Sequence, residues 1–192
     1  QLCMKSFLKN RVVVFLSLAI LLFTIWHFSY YYIINPHTGI DKAISLNLAE
    51  ISNQLLCWIG YDSVVDYYKT EEYIIVRMQD SWLPGVRIGD PCNGLNLFGL
   101  FSVVLIAFPT LVKRKYSINL HKLWFIPLGI VLIHLVNVIR VAVLAIIASY
   151  NYEALNFNHD VTFKVITYSF IFLLWYIWIK RYSGFNKIAK KE

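Results

Sequence analysis

A chain of 192 residues that is 58% hydrophobic and only 15% charged is not composed like a water-soluble domain, in which about a quarter of the residues carry charge. Its net charge of +7 is placed beside long uncharged stretches, where it meets anionic lipid head groups, and this placement excludes nucleic-acid binding. Four windows, at 12–34, 93–112, 123–148 and 161–179, approach the ~20 apolar residues that cross a ~30 Å hydrocarbon core as a helix.

The first window follows Lys5, Lys9 and Arg11 and ends in Trp26, Tyr30, Tyr31 and Tyr32, an aromatic belt of the kind found where a helix leaves the bilayer. Its apolar run is longer than a signal-peptide core and no small-residue cleavage site follows, so it reads as a retained anchor. Lys113, Arg114, Lys115 and Lys122 separate the second and third windows, and Lys180, Arg181, Lys187, Lys190 and Lys191 follow the fourth. Under the positive-inside bias these alternate loops are cytoplasmic. The chain is therefore expected to be an all-α polytopic membrane protein of about four transmembrane helices. It forms a single membrane domain over 1–192 in the cell membrane, with both termini cytoplasmic and an extracytoplasmic region at 35–91.

That region divides in two. Ile44, Leu48, Ile51, Leu55 and Trp58 recur at helical spacing and predict an amphipathic helix along the outer interface. Farther on, Tyr73-Ile74-Ile75-Val76-Arg77-Met78 and Val86-Arg87-Ile88 flank a Pro84-Gly85 turn, which predicts a short antiparallel β-ribbon between spans one and two. Of the three cysteines, Cys3 precedes the first span and Cys57 falls in an apolar stretch, where packing is expected. Cys92 opens the second span behind Asp90-Pro91.

With that topology Cys92, Arg140 and His159 converge on the outer leaflet. A charge at depth in a spanning helix marks a functional site by default. Asn137 and His134 precede Arg140 at intervals of three, which places the guanidinium on an inward polar stripe. His134 itself reads as a hydrogen-bonded packing residue, and Lys164 as a lysine snorkelling to outer head groups. A thiol at a helix N-terminus beside cationic groups is activated by a lowered pKa, and Asn93-Gly94 after it leave backbone amides for a developing oxyanion. His159 is followed by Asp160, and the two are placed to orient each other or a third group.

The set Pro91-Cys92-Asn93-Gly94-Leu95, then Asn137-Val138-Ile139-Arg140-Val141, then His159-Asp160 resembles the exosortase/archaeosortase family of membrane-embedded cysteine transpeptidases. The resemblance covers about residues 90–189. It implies cleavage of C-terminal sorting signals on exported proteins, substrates that combine a short motif, a spanning helix and a basic tail. In that reading Cys92, Arg140 and His159 are catalytic, with Asn93, Gly94, Asn137 and Asp160 binding substrate or supporting them. No cofactor is implied, and no spacing of His, Cys and carboxylates suggests a metal site. The alternative is a non-enzymatic assembly or secretion factor that holds a partner helix in its polar core. A small transporter is less attractive without inverted repeats.

Overall fold

The computed structural model describes residues 2–68, 73–89, 94–108, 120–151, 155 and 161–182. Helix α1 (Leu2–Ser29) runs through a π-helical turn, Tyr30–Ile34, into the short α2 (Asn35–Thr38). Gly39 then takes the left-handed conformation (φ 63°) and redirects the chain into α3 (Ile40–Trp58), a turn that a side chain would strain. Strands β1 (Ser63–Tyr68), β2 (Tyr73–Met78) and β3 (Val86–Ile88) follow, then α4 (Leu95–Ala107), α5 (Leu120–Tyr150) and α6 (Phe163–Tyr182). Among the described residues, three helical stretches, Val12–Thr38, His121–Tyr150 and Phe163–Tyr182, are long and apolar enough to cross a membrane.

The expected second span, 93–112, is a shorter helix. Phe108 is extended (ψ 121°) because Pro109 follows it, and the residue before a proline is driven from the α region. Thirteen residues give α4 a length of ~20 Å at 1.5 Å per residue, less than the ~30 Å hydrocarbon core. C-terminal carbonyls of α4 that have no helical partner are met by Lys122, whose Nζ donates to Ile106 O at 3.2 Å and Phe108 O at 2.9 Å. Lys122 is therefore a buried side chain on α5, not a loop charge as its place among the basic residues suggests.

Two packed layers divide the molecule. In the first, α4 lies among α1, α5 and α6 in a cluster that includes Phe98, Phe101, Ile133, Ile171 and Trp178. Close approach depends on two glycines: a Cβ on Gly99 would overlap the Trp26 ring, and one on Gly129 would overlap the Phe101 ring. Small residues serve this purpose at helix interfaces in membranes, where backbones gain contact by approaching closely.

In the second layer, α3 and the antiparallel sheet, ordered β1-β2-β3, pack on the C-terminal half of α5. Ile74, Val76 and Met78 alternate inward with Val86 and Ile88 against Leu48, Leu56, Val141 and Ala145. The register pairs Ile74 with Ile88 and Val76 with Val86, as the period of two in each strand requires. Arg77 and Asp66 form an ion pair on the other face. The ribbon expected from the sequence is thus the β2–β3 half of a three-stranded sheet. Strand β1 was not anticipated, although Val64, Val65, Tyr67 and Tyr68 are β-branched or aromatic.

The helix at 40–58 forms as expected but rotates. Its buried face carries Asp41, Ser45, Leu48, Ala49, Ser52 and Leu56, whereas Trp58 is 79% exposed. Polar groups are tolerated inside because each finds a partner. Tyr30 Oη donates to Asp41 Oδ1 at 2.8 Å, and Ser52 Oγ lies 2.7 Å from Leu48 O and 3.3 Å from Val138 O. Tyr30, assigned from sequence to an interfacial belt, is therefore buried at 1% exposure, while Tyr31 and Tyr32 stay exposed. Cys57 is exposed rather than packed.

Replacing Lys122 with Met should lower thermal stability in detergent by about 1–2 kcal/mol, the cost of leaving buried carbonyls unpaired, and Lys122→Arg should recover most of it. An unchanged melting temperature for Lys122→Met would show that these carbonyls need no cap.

Candidate active site

Gly94, Asn137 and Arg140 lie within the described residues; Cys92, Asn93, His159 and Asp160 lie outside them. The local geometry is built from α4 and α5. Gly94 forms the N-terminal cap of α4 in the left-handed conformation (φ 85°), with no side-chain cap, and its carbonyl accepts the first helical bond from Phe98 N at 3.0 Å. Its missing side chain makes room for α5, since a Cβ there would overlap the Asn137 amide nitrogen. The start of α4 therefore rests directly on the Asn137 side chain.

Asn137 and Arg140 stand one turn apart on the inward face of α5, 0% and 6% exposed, while Ile139 between them is 56% exposed. Arg140 is thus directed into the protein rather than toward lipid. Neither polar atom of the Asn137 amide has a hydrogen-bond partner among the described residues. Buried amides without partners are rare in native structures and call for an explanation. Arg140 forms no ion pair among the described residues, so the site holds a buried cation and a buried, unengaged amide side by side.

The depth of Arg140 follows from the exposed apolar side chains of α5. Leu123, Leu128, Val131, Leu135, Ile139 and Val143 form an outward stripe that is ~30 Å long at 1.5 Å per residue, matching a hydrocarbon core. Arg140 lies ~5 Å from the end of that stripe nearest the sheet. The helix continues to Tyr150 inside the sheet layer.

His134, half-buried, is engaged in packing. Its Nε2 is 3.1 Å from Asn47 Oδ1, and its ring lies 6.3 Å from that of Phe98. Lys164 is exposed at the start of α6. The buried Tyr30–Asp41 pair was missed from the sequence, because a carboxylate reads as solvent-facing until its partner, remote in sequence, is placed beside it. Among the described residues no group of three or more His, Cys, Asp or Glu side chains is arranged to hold a metal ion.

A bundle of apolar helices with a buried arginine–asparagine pair near a small sheet defines an integral membrane protein with a polar site at one end. The model of the transmembrane exosortase family matches residues 10–181, nearly the whole chain, and the chain belongs to that family. No curated protein and no solved structure matches it.

Gly94→Ala should cost more than about 1 kcal/mol, because the new methyl meets both an unfavourable φ and the Asn137 amide. Asn137→Leu, by contrast, should leave the melting temperature unchanged or raise it, since replacing an unpaired buried amide with an apolar isostere removes a desolvation cost. A large loss of stability in Asn137→Leu would show the amide to be part of the structural framework.

Proposed function

We propose that this chain is a membrane-embedded cysteine protease/transpeptidase that cleaves C-terminal sorting signals of exported proteins. In this reading it crosses the membrane four times, with α4 as the short second span, both termini cytoplasmic and the site on the extracytoplasmic side. The observation that carries the proposal is the seating of Gly94 on Asn137. Cys92 precedes Gly94 by two residues, so covalent geometry keeps the two Cα atoms within about 7.6 Å. The thiol is thereby tethered to the end of α4 that faces Asn137 and, one turn on, Arg140. Val161, at the start of the described lead into α6, tethers His159 by the same distance, and Phe163 packs on the cluster containing Val138 and Val141.

The chemistry runs in two halves. The Cys92 thiolate, favoured by the Arg140 cation, attacks the scissile carbonyl carbon, and the oxyanion that forms is stabilised by Arg140 and the amides near Gly94. The C–N bond then breaks as the leaving amine takes a proton from His159, leaving a thioester. Water, or an amine or hydroxyl on an acceptor, gives a proton to His159 and attacks the thioester, which releases the product and restores the thiolate. Asp160 orients the imidazole. The substrates are exported proteins ending in a short motif, a spanning helix and a basic tail, properties that the family membership supports in outline.

The test is processing of a co-expressed exported protein with such a C-terminus. Cys92→Ala and Cys92→Ser should leave it at full length, and Arg140→Lys should slow processing at least about a hundredfold, because a point charge does not replace a guanidinium fork. Asn137→Leu should lose most processing while remaining folded. Normal processing by Cys92→Ala would refute the enzyme and favour a protein that only binds a partner helix.

A further inference from the structure

A cavity of about 470 Å³ opens between α2, the first turns of α3 and the β2–β3 pair. We infer that this cavity is the subsite that seats the polar stretch of substrate peptide next to the scissile bond, an inference that rests on the proteolytic reading above.

Position is the first argument. Gly89 lies on the cavity wall and precedes Cys92 by three residues, which limits the separation of their Cα atoms to about 11 Å. An extended peptide covers that distance in three or four residues. The lining also includes Asp41, which is held by Tyr30 at 2.8 Å, and Tyr30 packs in the same cluster as Leu95 and Phe98 of α4. The cavity is thus tied to the start of α4 twice, once through the chain and once through packing.

Chemistry is the second. The floor lies over the cross-strand pair Ile74 and Ile88, whose side chains are buried in the core beneath it, and the lining is mainly polar, with His37, Lys42 and Ser45 among its groups. A lining of mixed donors and acceptors fits a short peptide stretch with polar side chains, not a spanning helix, which would need an apolar wall. The volume falls in the range that encloses a small ligand and is too small for a folded domain. The walls are also preformed, because the sheet register fixes the floor and the Tyr30–Asp41 bond fixes one side. Binding therefore does not require the protein to order this region first.

The experiment fills the cavity. His37→Trp adds bulk at an exposed rim position, Ser45→Phe adds it near the floor, and Asp80→Trp places the same kind of bulk at the unrelated β2–β3 loop. The same co-expressed exported protein is the probe, and alkylation of Cys92 by iodoacetamide reads the thiol directly. Expected are a processing rate at limiting substrate reduced about tenfold or more in His37→Trp and Ser45→Phe, normal processing in Asp80→Trp, and Cys92 alkylation within about twofold of wild type in all three. Should Ser45→Phe fail to fold, the exposed His37→Trp decides. Wild-type processing in His37→Trp, or an equal loss in Asp80→Trp, overturns the subsite and leaves the proteolytic reading standing. A wild-type chain that processes nothing overturns both.

Discussion

The C-terminal half of α5 cannot lie in the same surroundings as its N-terminal half, and much of the architecture follows from that constraint. The helix is 31 residues long, ~46 Å at 1.5 Å per residue, against a hydrocarbon core of ~30 Å. Its first part packs on α4 and α6 through large aromatic and aliphatic side chains. Its last turns pack on α3 and the sheet through Val141, Ala142, Ala145 and Ala148, small residues that let a β-layer settle close to a helix. Asn137 and Arg140 fall where the two packing regimes meet. At that level a buried guanidinium is held by protein on one side and is only about a turn from the end of the apolar stripe. The cost of such a charge falls steeply toward the interface.

Much of this was legible in the sequence. Apolar length alone marks α1, α5 and α6, and the β-branched run at 73–78 with Pro84-Gly85 marks the β2–β3 pairing. The polar spacing of Asn137 and Arg140 identifies their inward face, because two polar residues three apart on an apolar helix have a single direction in which to share partners. Less legible were features set by tertiary packing. Hydrophobic periodicity misjudged α3 because its buried face is lined by Asp41, Ser45 and Ser52, whose partners (Tyr30 and the Val138 carbonyl) are remote in sequence. Lys122 looks like a loop charge until the end of α4 is placed beside it. The early end of α4 had a signal in Pro109, which composition over a wide window averages away.

The candidate site divides in the same way. That Arg140 is internal follows from spacing, but the contact between Gly94 and Asn137 does not, since nothing in either segment names the other. The Asn-Gly pair near the α4 start suggests room for a close backbone approach, and the fold identifies what approaches: the amide of Asn137. Membership of the transmembrane exosortase family gives this contact a chemical setting. The two glycine notches at Gly99 and Gly129 give it a mechanical one, because they hold α4 against Trp26 of α1 and beneath α5 with little freedom to slide.

Helix α4 can also be regarded as an electrical object. Aligned peptide dipoles give it a partial negative charge at its C-terminal pole and a partial positive charge at its N-terminal pole. Lys122 neutralises the first pole through two short bonds to Ile106 O and Phe108 O. The second carries no acidic residue in its first turn and no side-chain cap. A dipole balanced by a cation at its C-terminal pole is polarised in a fixed sense, and its N-terminal pole begins at Gly94, against the Asn137 amide. On the proposed reading, a group that gains negative charge at the head of α4 enters a field assembled during folding.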